Sequence, residues 1–191
     1  VVKQLDAPRC WFWAPDGAVH EMPAAELVAH ERPFELDLVP RATPRFPEIR
    51  KALAACSGRE IFFLALHGGV AEDGTLQAWL EERRLAYTGS DAKASRATFD
   101  KNRAREIARS RGLRVADAMT LEPGGLRLAG GALAELVARH GRVVLKPVAD
   151  GSSMGLRFLD AADDLGALLL ELEKEGVAYL AEAFVQGTEL T

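Results

Sequence analysis

The first sixty residues contain short runs that suit strands and one run that suits a helix. Cys10–Trp13 are apolar and lead into a Pro-Asp-Gly turn, as a strand entering a tight turn does. Phe34–Val39 alternate apolar and acidic side chains, which predicts a half-buried strand. Residues 49–56 carry apolar side chains at the spacing of a short helix.

A strand–helix–strand unit follows. Ile61–Leu66 are apolar on both faces, as in a covered parallel strand. Asp73 is placed to cap a helix whose apolar side chains fall at residues 76, 79 and 80, and Tyr87–Ser90 form the next extended piece and turn. This order predicts that residues 1–98 form an N-terminal α/β domain with an open, mainly parallel sheet.

From about residue 98 the pattern changes, and helices and strands alternate around a flexible loop. The predicted elements are a helix over 100–111, a strand over 117–121, a loop over 123–131, a short helix near 133–137, strands over 143–147 and 155–160 flanking a Gly/Ser loop, a helix over 165–172 capped by Asp160, and a strand over 177–185. A hairpin-like pair around a glycine loop does not fit a doubly wound sheet, so we predict a separate α+β unit over 99–191.

Composition narrows the function classes. The 191 residues are 48% hydrophobic and 27% charged with a net charge of −4, the balance of a folded protein without a basic surface for nucleic acid. The longest strongly apolar run has six residues, Ile61–Leu66, against the roughly 20 that span a bilayer. The two cysteines, Cys10 and Cys56, have no metal or redox spacing, which favours packing roles and a cytoplasmic location. The chain begins Val1-Val2 without methionine, and we expect a portion of a longer protein.

Lys146 ends a predicted strand, and a glycine- and serine-rich loop over 150–155 follows it. An ammonium group at a strand end, next to free backbone N–H groups, suits a polyphosphate. A plain hairpin loop with a solvated lysine explains the spacing equally well. The loop matches neither a P-loop nor the Gly-x-Gly-x-x-Gly fingerprint of dinucleotide-binding folds.

Lys101 lies in the first turn of a predicted helix, where a cation opposes the helix dipole. A bound phosphate would explain this position, although an ordinary surface lysine does so as well. We interpret the basic run around it as a solvated helix face: Lys101, Arg103, Arg105, Arg109, Arg111 and Arg114.

Two further segments carry candidate ligand-binding groups. The apolar strand around Glu182, which leads to Glu189, suits a planar base and its sugar, or else is an edge strand with outward glutamates. His67-Gly68-Gly69 and Glu72–Thr75 lie at a strand-to-helix turn, where open α/β sheets bind ligands. A simple capped turn explains Asp73 but not His67.

Taken in order, these segments resemble the ATP-grasp ligases, and within them the D-alanine–D-alanine ligase family. The resemblance covers about residues 60–191, and the segments that carry it are Leu66-His67-Gly68-Gly69, Glu72-Asp73-Gly74-Thr75-Leu76-Gln77, Tyr87-Thr88-Gly89-Ser90, Asp100-Lys101-x-Arg103, Val144-Leu145-Lys146-Pro147, Gly151-Ser152-Ser153-Met154-Gly155 and Glu182-x-Phe184-x-x-Gly187-x-Glu189-Leu190-Thr191.

The resemblance implies a fold and a set of roles. An N-terminal α/β domain over 1–98, lacking its first strand, precedes the first α+β subdomain of an ATP-grasp fold over 99–191. Lys101 and Lys146 hold ATP phosphates and the loop backbone covers them, while Glu182 and the following backbone bind adenine and Glu189 binds ribose. The implied nucleotide-contacting residues are Lys101, Lys146, Ser152, Ser153, Met154, Gly155, Glu182, Ala183, Phe184, Val185 and Glu189.

The resemblance also implies a reaction. One D-alanine is phosphorylated on its carboxylate by ATP, and a second displaces the phosphate to give a dipeptide for peptidoglycan synthesis. His67, Glu72 and Ser152 fall near the first D-alanine, with Ser152 as the catalytic residue. Mg²⁺ is implied, with its ligands outside this sequence and none within it. A cytoplasmic homodimer that binds neither nucleic acid nor membrane is expected.

Other functions stay open at this point. A D-alanine–D-lactate or D-alanine–D-serine ligase shares nearly all these residues, and other ATP-grasp carboxylate–amine ligases share many of them. An inactive nucleotide-binding module belongs to a different class and would retain the fold without turnover. A nicotinamide-dependent dehydrogenase is disfavoured because the dinucleotide fingerprint is missing.

Overall fold

A computed structural model describes residues 7–32, 35–151 and 154–188. The chain forms two compact units that interleave along the sequence: the first comprises Val1–Phe63 and Trp79–Thr88, and the second comprises Leu64–Ala78 and Gly89–Thr191. The simple boundary after residue 98 stays a prediction.

The first unit contains short elements. Strands β1 and β2 form an antiparallel hairpin, β3 and β4 form a separate parallel pair, and helix α3 extends into the second unit; the elements are β1 (Cys10–Trp13), β2 (Val19–Met22), α1 (Ala24–Ala29), α2 (Ile49–Ala54), β3 (Ile61–Phe62), α3 (Thr75–Glu82) and β4 (Ala86–Tyr87). The hairpin strand at Cys10–Trp13 and the helix beginning at Ile49 are confirmed.

The prediction of an open, mainly parallel N-terminal sheet is wrong for the described residues, which form two separate two-stranded sheets there. The predicted strand Ile61–Leu66 stops at Phe62, and Ile61 is 75% exposed, because β4 pairs with only two of its residues. Residues 35–39 form no strand, and Phe34 lies outside the described residues. A covered sheet needs neighbouring strands, and an apolar run in the sequence does not show whether those strands are present.

The second unit follows the predicted order of helices and strands. Its elements are α4 (Ala92–Phe99), α5 (Lys101–Ser110), β5 (Ala118–Leu121), α6 (Leu126–His140), β6 (Arg142–Pro147), β7 (Arg157–Asp160), α7 (Leu165–Glu175) and β8 (Tyr179–Ala183). The four strands form one sheet in the order β5-β8-β6-β7, with every neighbouring pair antiparallel. Helix α4 was not predicted, although the side chain of Asp91 caps it.

Helix α6 corrects the prediction of a loop over 123–131. It begins at Leu126 and runs through Gly130 and Gly131 without a break. Leu126 and Leu133 are buried on one face of the helix, and this packing outweighs the weak helix propensity of glycine. A Cβ atom at Gly130 would lie 3.2 Å from Leu169, so the glycine allows α6 and α7 to approach closely.

The strand register divides the sheet into two faces. Val143 and Leu145 of β6 belong to a core that α6 and α7 cover, together with Tyr179 of β8. The alternate residues of the same strands, including Lys146 and Glu182, point to the opposite face. Because side chains alternate between the two faces of a strand, the register that buries the core residues also places Lys146 and Glu182 together on the other face.

No helix within the described ranges is both long and apolar enough to cross a membrane. Aspartate side chains cap the N-termini of helices α4, α5 and α7. Asp164, rather than the predicted Asp160, caps α7 by accepting a hydrogen bond from the N–H of Ala167, while Asp160 forms a two-point ion pair with Arg142.

Candidate functional site

Lys101 links the start of helix α5 to the loop that follows β6. The Asp100 carboxylate caps α5 by accepting from the N–H of Arg103 at 3.0 Å. The Lys101 N–H donates to the Val148 carbonyl at 3.0 Å, and its ammonium group donates to the Asp150 carbonyl at 2.6 Å. The helix end and the loop thus present one surface, with the ammonium between them.

The second predicted lysine lies close to the first. Burial lowers the pKa of Lys101, and the positive charge of Lys146 lowers it further, while Asp150 and Asp100 oppose the shift. Two ammonium groups from α5 and β6 therefore share one electrostatic environment. Repulsion between like charges of this kind is relieved when an anion binds between them.

Glu182 is the carboxylate of this surface. One of its oxygens lies 2.5 Å from the Lys146 ammonium, and the other accepts from the guanidinium of Arg105. The Glu182 and Arg105 side chains retain only 17% and 14% of their exposure, so this is a largely buried ion-pair group. Arg105 also donates to the Ala116 carbonyl at 2.5 Å.

Arg105 corrects the interpretation of the basic run as a wholly solvated face. Arg103 and Arg109 are exposed, as expected, but Arg105 turns toward the sheet. The sequence carried a signal for this, because Arg105 lies four residues after Lys101 and therefore on the same side of the helix. The partner on β8 was beyond sequence reasoning, since it depends on how α5 packs on the sheet.

A cleft of about 310 Å³ opens beside Lys101. It is lined by Glu72, Thr98, Phe99, Lys101, Asp150 and Gly151. A Cβ atom on Gly151 would lie 2.9 Å from a Glu72 carboxylate oxygen, so the glycine lets Glu72 approach the loop backbone. The structure thus places Glu72, predicted from the strand-to-helix turn, in the same cleft as Lys101.

His67 lies beside Glu72 but points outward. Its Nδ1 atom is 3.8 Å from a Glu72 oxygen, and its side chain is 79% exposed. The turn between the two residues is held by Gln77, which is buried and donates to the Ala71 carbonyl at 2.8 Å. Gln77 was only part of the motif in the sequence, and the structure gives it this supporting contact.

The loop after β6 is described on both sides of a gap. Met154 is exposed, and its N–H donates to the Gly151 carbonyl at 3.1 Å. Gly155 has a φ of +68°, and a Cβ atom there would lie 2.9 Å from the Pro147 ring, so only glycine fits without displacement. Ser152 and Ser153, with the predicted catalytic role of Ser152, lie outside the described residues.

The predicted adenine segment leaves the sheet after β8. The N–H groups of Ala183 and Phe184 donate to the carbonyls of Asp117 and Arg142, at 2.8 and 3.0 Å. Val185 follows these bonds and is exposed. The Phe184 ring packs edge-to-face on Phe158 at 5.9 Å, with the Arg142 guanidinium over both rings. Glu189 lies outside the described residues.

The arrangement favours a polyanion. Lys146 and Arg105 flank Glu182 on one face of the sheet. Lys101, whose ammonium donates to the Asp150 carbonyl, is near enough to Lys146 for that charge to lower its pKa. Within residues 7–32, 35–151 and 154–188, no three His, Cys, Asp or Glu side chains group as a metal site requires. Lys101, Lys146 and Arg105 can neutralise part of the charge of an anion bound near them.

Comparison with known proteins gives a consistent set of matches. No protein-family model matches the chain. The D-alanine–D-alanine ligase of Aquifex aeolicus is 32% identical over 158 residues, which are 83% of this chain and 50% of that protein. The chain thus spans about half the length of this curated relative.

Solved structures of the same group are similar in fold. The D-alanine–D-alanine ligase of Bacillus anthracis complexed with ATP has a TM-score of 0.59 and 28% identity, over 73% of this chain and 44% of that one. The VanG D-Ala:D-Ser ligase of Enterococcus faecalis has a TM-score of 0.55 and 28% identity, over 66% of this chain and 36% of that one. On these matches, the chain is similar to a portion of the D-alanine–D-alanine ligases.

Proposed function

We propose that the protein containing this chain is an ATP-dependent ligase that joins two D-alanine molecules through a D-alanyl phosphate. This proposal is supported by Lys101, which lines a cleft beside the Asp150 carbonyl, and by Lys146, whose positive charge helps to lower the pKa of Lys101. The relative that was solved with ATP supports the choice of nucleotide. In domain terms, we propose that residues 99–191 are the first subdomain of an ATP-grasp fold.

The phosphates of ATP would occupy the face where Lys101 and Lys146 lie. In the described structure the Lys101 ammonium donates to the Asp150 carbonyl, and the Lys146 ammonium pairs with Glu182. A triphosphate offers both groups stronger, doubly charged contacts. The predicted cover from Ser152, Ser153, Met154 and Gly155 is part of this proposal.

The adenine would lie near β8. Both Glu182 oxygens already accept from Lys146 and Arg105, so an exocyclic amine would share one of them with a cation. The exposed backbone at Val185 follows the bonds that occupy the N–H groups of Ala183 and Phe184. Val185 is therefore our proposed backbone contact for the base edge. Ribose recognition by Glu189 remains part of the same proposal.

Glu72 is our proposed contact for the first D-alanine. Its carboxylate lines the cleft of Lys101, where it can bind the ammonium group of an amino acid. The amino acid's own carboxylate would then face the cationic surface. We assign His67, which is 3.8 Å from Glu72, to the same substrate together with Ser152.

The chemistry consists of two displacements that need positioning and charge neutralisation. A carboxylate oxygen of the first D-alanine attacks the γ-phosphorus, and ADP leaves with the electron pair of the broken P–O bond. The amine of the second D-alanine attacks the acyl carbon, phosphate leaves, and the amine gives up a proton. Lys101 and Lys146 stabilise the charge on the phosphates throughout.

Mg²⁺ is expected to neutralise the phosphates further when it is bound. Among the described residues, no three His, Cys, Asp or Glu side chains form a group that could hold it. We propose that its ligands lie outside this sequence. A homodimer and a cytoplasmic location, as peptidoglycan precursor synthesis implies, belong to the same proposal.

A second substrate other than D-alanine is the main alternative. The similarity to a D-Ala:D-Ser ligase supports D-serine as the acceptor, and a D-lactate acceptor would use the same nucleotide site. These ligases would share Lys101, Lys146 and Glu72. An inactive nucleotide-binding module would retain the lysines and lack turnover.

Turnover by the full-length protein tests the proposal. Purified protein is mixed with ATP, MgCl₂ and D-alanine, either alone or together with D-serine, D-lactate or L-alanine, while ADP release and the product mass are measured. We expect ADP and the D-alanyl dipeptide with D-alanine alone. ATP binding without turnover on any acid would support the inactive module, and a mixed product would support one of the other acceptors.

Lys146→Gln provides the matched variant, with exposed Lys174→Gln on α7 as its control. Losing a charge-assisted contact to phosphate should weaken ATP binding about ten- to hundredfold, whereas the control should bind as the unaltered protein does. Equal ATP affinity in the two variants would contradict a phosphate role for Lys146.

A further inference from the structure

Glu182 is a largely buried carboxylate with two cationic partners from different elements. Lys146 approaches it from the neighbouring strand β6, and Arg105 approaches it from helix α5. Arg105 is fixed a second time by its 2.5 Å hydrogen bond to the Ala116 carbonyl just before β5. Its position is therefore set by the protein before any ligand arrives.

The charges of this group determine what Lys146 can do. Lys146 and Glu182 alone would form a neutral pair, and a phosphate would compete with a carboxylate 2.5 Å from the same ammonium. With Arg105 added, the group carries a net charge of one positive unit. Because coulombic interactions are strong in a partly buried site, the third charge decides whether the group is neutral or attracts a polyanion.

We propose that Arg105 is a positioning residue of the nucleotide site. It holds and neutralises Glu182, so that the Lys146 ammonium remains available to phosphate. This inference rests on the proposed nucleotide-binding function and adds a residue to which neither the motif pattern nor the comparisons give a role. A purely structural arginine that ties α5 to the residues before β5 is the competing explanation.

Charge rescue separates the two explanations. We would measure the Kd of ATP and of inorganic triphosphate by calorimetry on the full-length protein and on the Arg105→Gln, Glu182→Gln and double variants. Arg109→Gln, at an exposed position on the same helix, is the matched control for lost charge. Arg105→Gln should weaken triphosphate binding about tenfold or more, and Arg109→Gln should change it less than about twofold.

The double variant carries the decisive readout, because it restores the net charge without restoring the arginine. We expect Arg105→Gln/Glu182→Gln to recover most of the lost triphosphate affinity. A double variant as weak as Arg105→Gln would overturn the proposal and leave a structural role. The ATP data are read separately, since Glu182 is also proposed to contact adenine.

Arg105→Lys keeps the test decisive if the glutamine variant fails to fold. A lysine retains the charge but loses the planar fork that reaches both Glu182 and Ala116. Neutralisation predicts that Arg105→Lys keeps triphosphate affinity within about threefold, whereas a structural role predicts a lower melting temperature together with weak binding. If the unaltered protein and Arg109→Gln bind no nucleotide, the proposed function fails as well; if both bind and Arg105→Gln equals them, this inference alone fails.

Discussion

Lys101 holds its ammonium group in a partly buried position beside a second lysine. Burial and the charge of Lys146 both lower its pKa, and the Asp150 carbonyl is its hydrogen-bond acceptor in the described structure. The group therefore keeps its proton less firmly than an exposed lysine. A bound triphosphate has the opposite effect, because it favours the charged form.

This environment predicts how ATP binding depends on alkaline pH. As pH rises toward the lowered pKa of Lys101, the ammonium loses its proton and ATP affinity should fall, earlier than for an ordinary lysine. Lys101→Arg should move the fall to higher pH, because a guanidinium stays protonated. Calorimetric Kd values between about pH 7.5 and about pH 10 would check this. If ATP affinity fell over the same alkaline pH range in both proteins, Lys101 would not be the titrating group.

Alanine substitution at two glycines of the second unit, Gly74 and Gly151, should change the free energy of unfolding by different amounts. A Cβ atom at Gly74 would lie 2.3 Å from the Ala92 carbonyl oxygen, at a φ of +85°, and neither backbone segment can yield cheaply. Gly74→Ala should lower the free energy of unfolding by about 2 kcal/mol or more. Denaturant unfolding would measure this.

At Gly151, the nearest atom to an added Cβ is the end of the flexible Glu72 side chain, at 2.9 Å. Gly151→Ala should therefore change the free energy of unfolding by less than about 1 kcal/mol but displace Glu72, raising the KM for D-alanine. If instead Gly151→Ala left both the free energy of unfolding and the KM for D-alanine unchanged, Glu72 would not be the substrate contact.

At the scale of elements, the four-stranded sheet separates stability from function by its two faces. The face toward α6 and α7 is apolar and buried, and the opposite face carries Lys146 and Glu182. Helix α7, which covers the apolar face, has a buried and an exposed side of its own. Leu172 is fully buried in the core, whereas Leu170 is half exposed. Substitutions on the two sides of this helix should differ accordingly.

Leu172→Ala removes core packing and should lower the free energy of unfolding by about 3 kcal/mol. Leu170→Ala, two residues away on the exposed side, should change it by less than about 0.5 kcal/mol. Urea unfolding of both variants would compare them. Similar losses in the two would contradict the described orientation of α7.

Tyr179 joins β8 to α7 through a hydrogen bond from its hydroxyl to Glu175. Burial, and then this bond, raise the pKa of Tyr179 to about 12. An unfolded tyrosine titrates near pH 10, so between about pH 10 and about pH 12 the folded chain holds a proton that the unfolded chain has lost. Its contribution to stability is present below that window and is lost as pH rises through it.

The corresponding experiment compares the unaltered protein with Tyr179→Phe, which has no hydroxyl to titrate. Urea unfolding at about pH 9 and about pH 11 should show a larger loss of stability in the unaltered protein. Equal losses in both proteins would mean that Tyr179 does not titrate in this window.

At the scale of the whole molecule, the sequence predicted most of the second unit and little of the first. Helix α7 and strand β6 carry complete apolar periodicities, and both lie close to where they were expected. The N-terminal sheet was not predictable, because the run after Ile61 reads as a covered strand, although β4 is its one partner strand among the described residues. Packing that comes from distant parts of the chain leaves no local pattern.

The site shows the same division. Lys101, Lys146 and Glu72 were predicted from motifs, and the structure brings the two lysines into one electrostatic environment and Glu72 into the cleft of Lys101. Arg105 was assigned to a solvated face, because its partner Glu182 lies 77 positions away in the chain. The motifs identified the side chains that are proposed to contact a ligand. Arg105, which holds Glu182, could be identified only from the fold.

A double-mutant cycle on ATP binding tests the central claim most directly. The Kd of ATP is measured by calorimetry for the unaltered full-length protein, Lys101→Gln, Lys146→Gln and the double variant. If both lysines bind one triphosphate, each single variant should bind ATP about tenfold or more weakly. The coupling energy between the two substitutions should be at least about 0.5 kcal/mol. Single variants that bind ATP as tightly as the unaltered protein, or losses that add without coupling, would contradict a shared phosphate site.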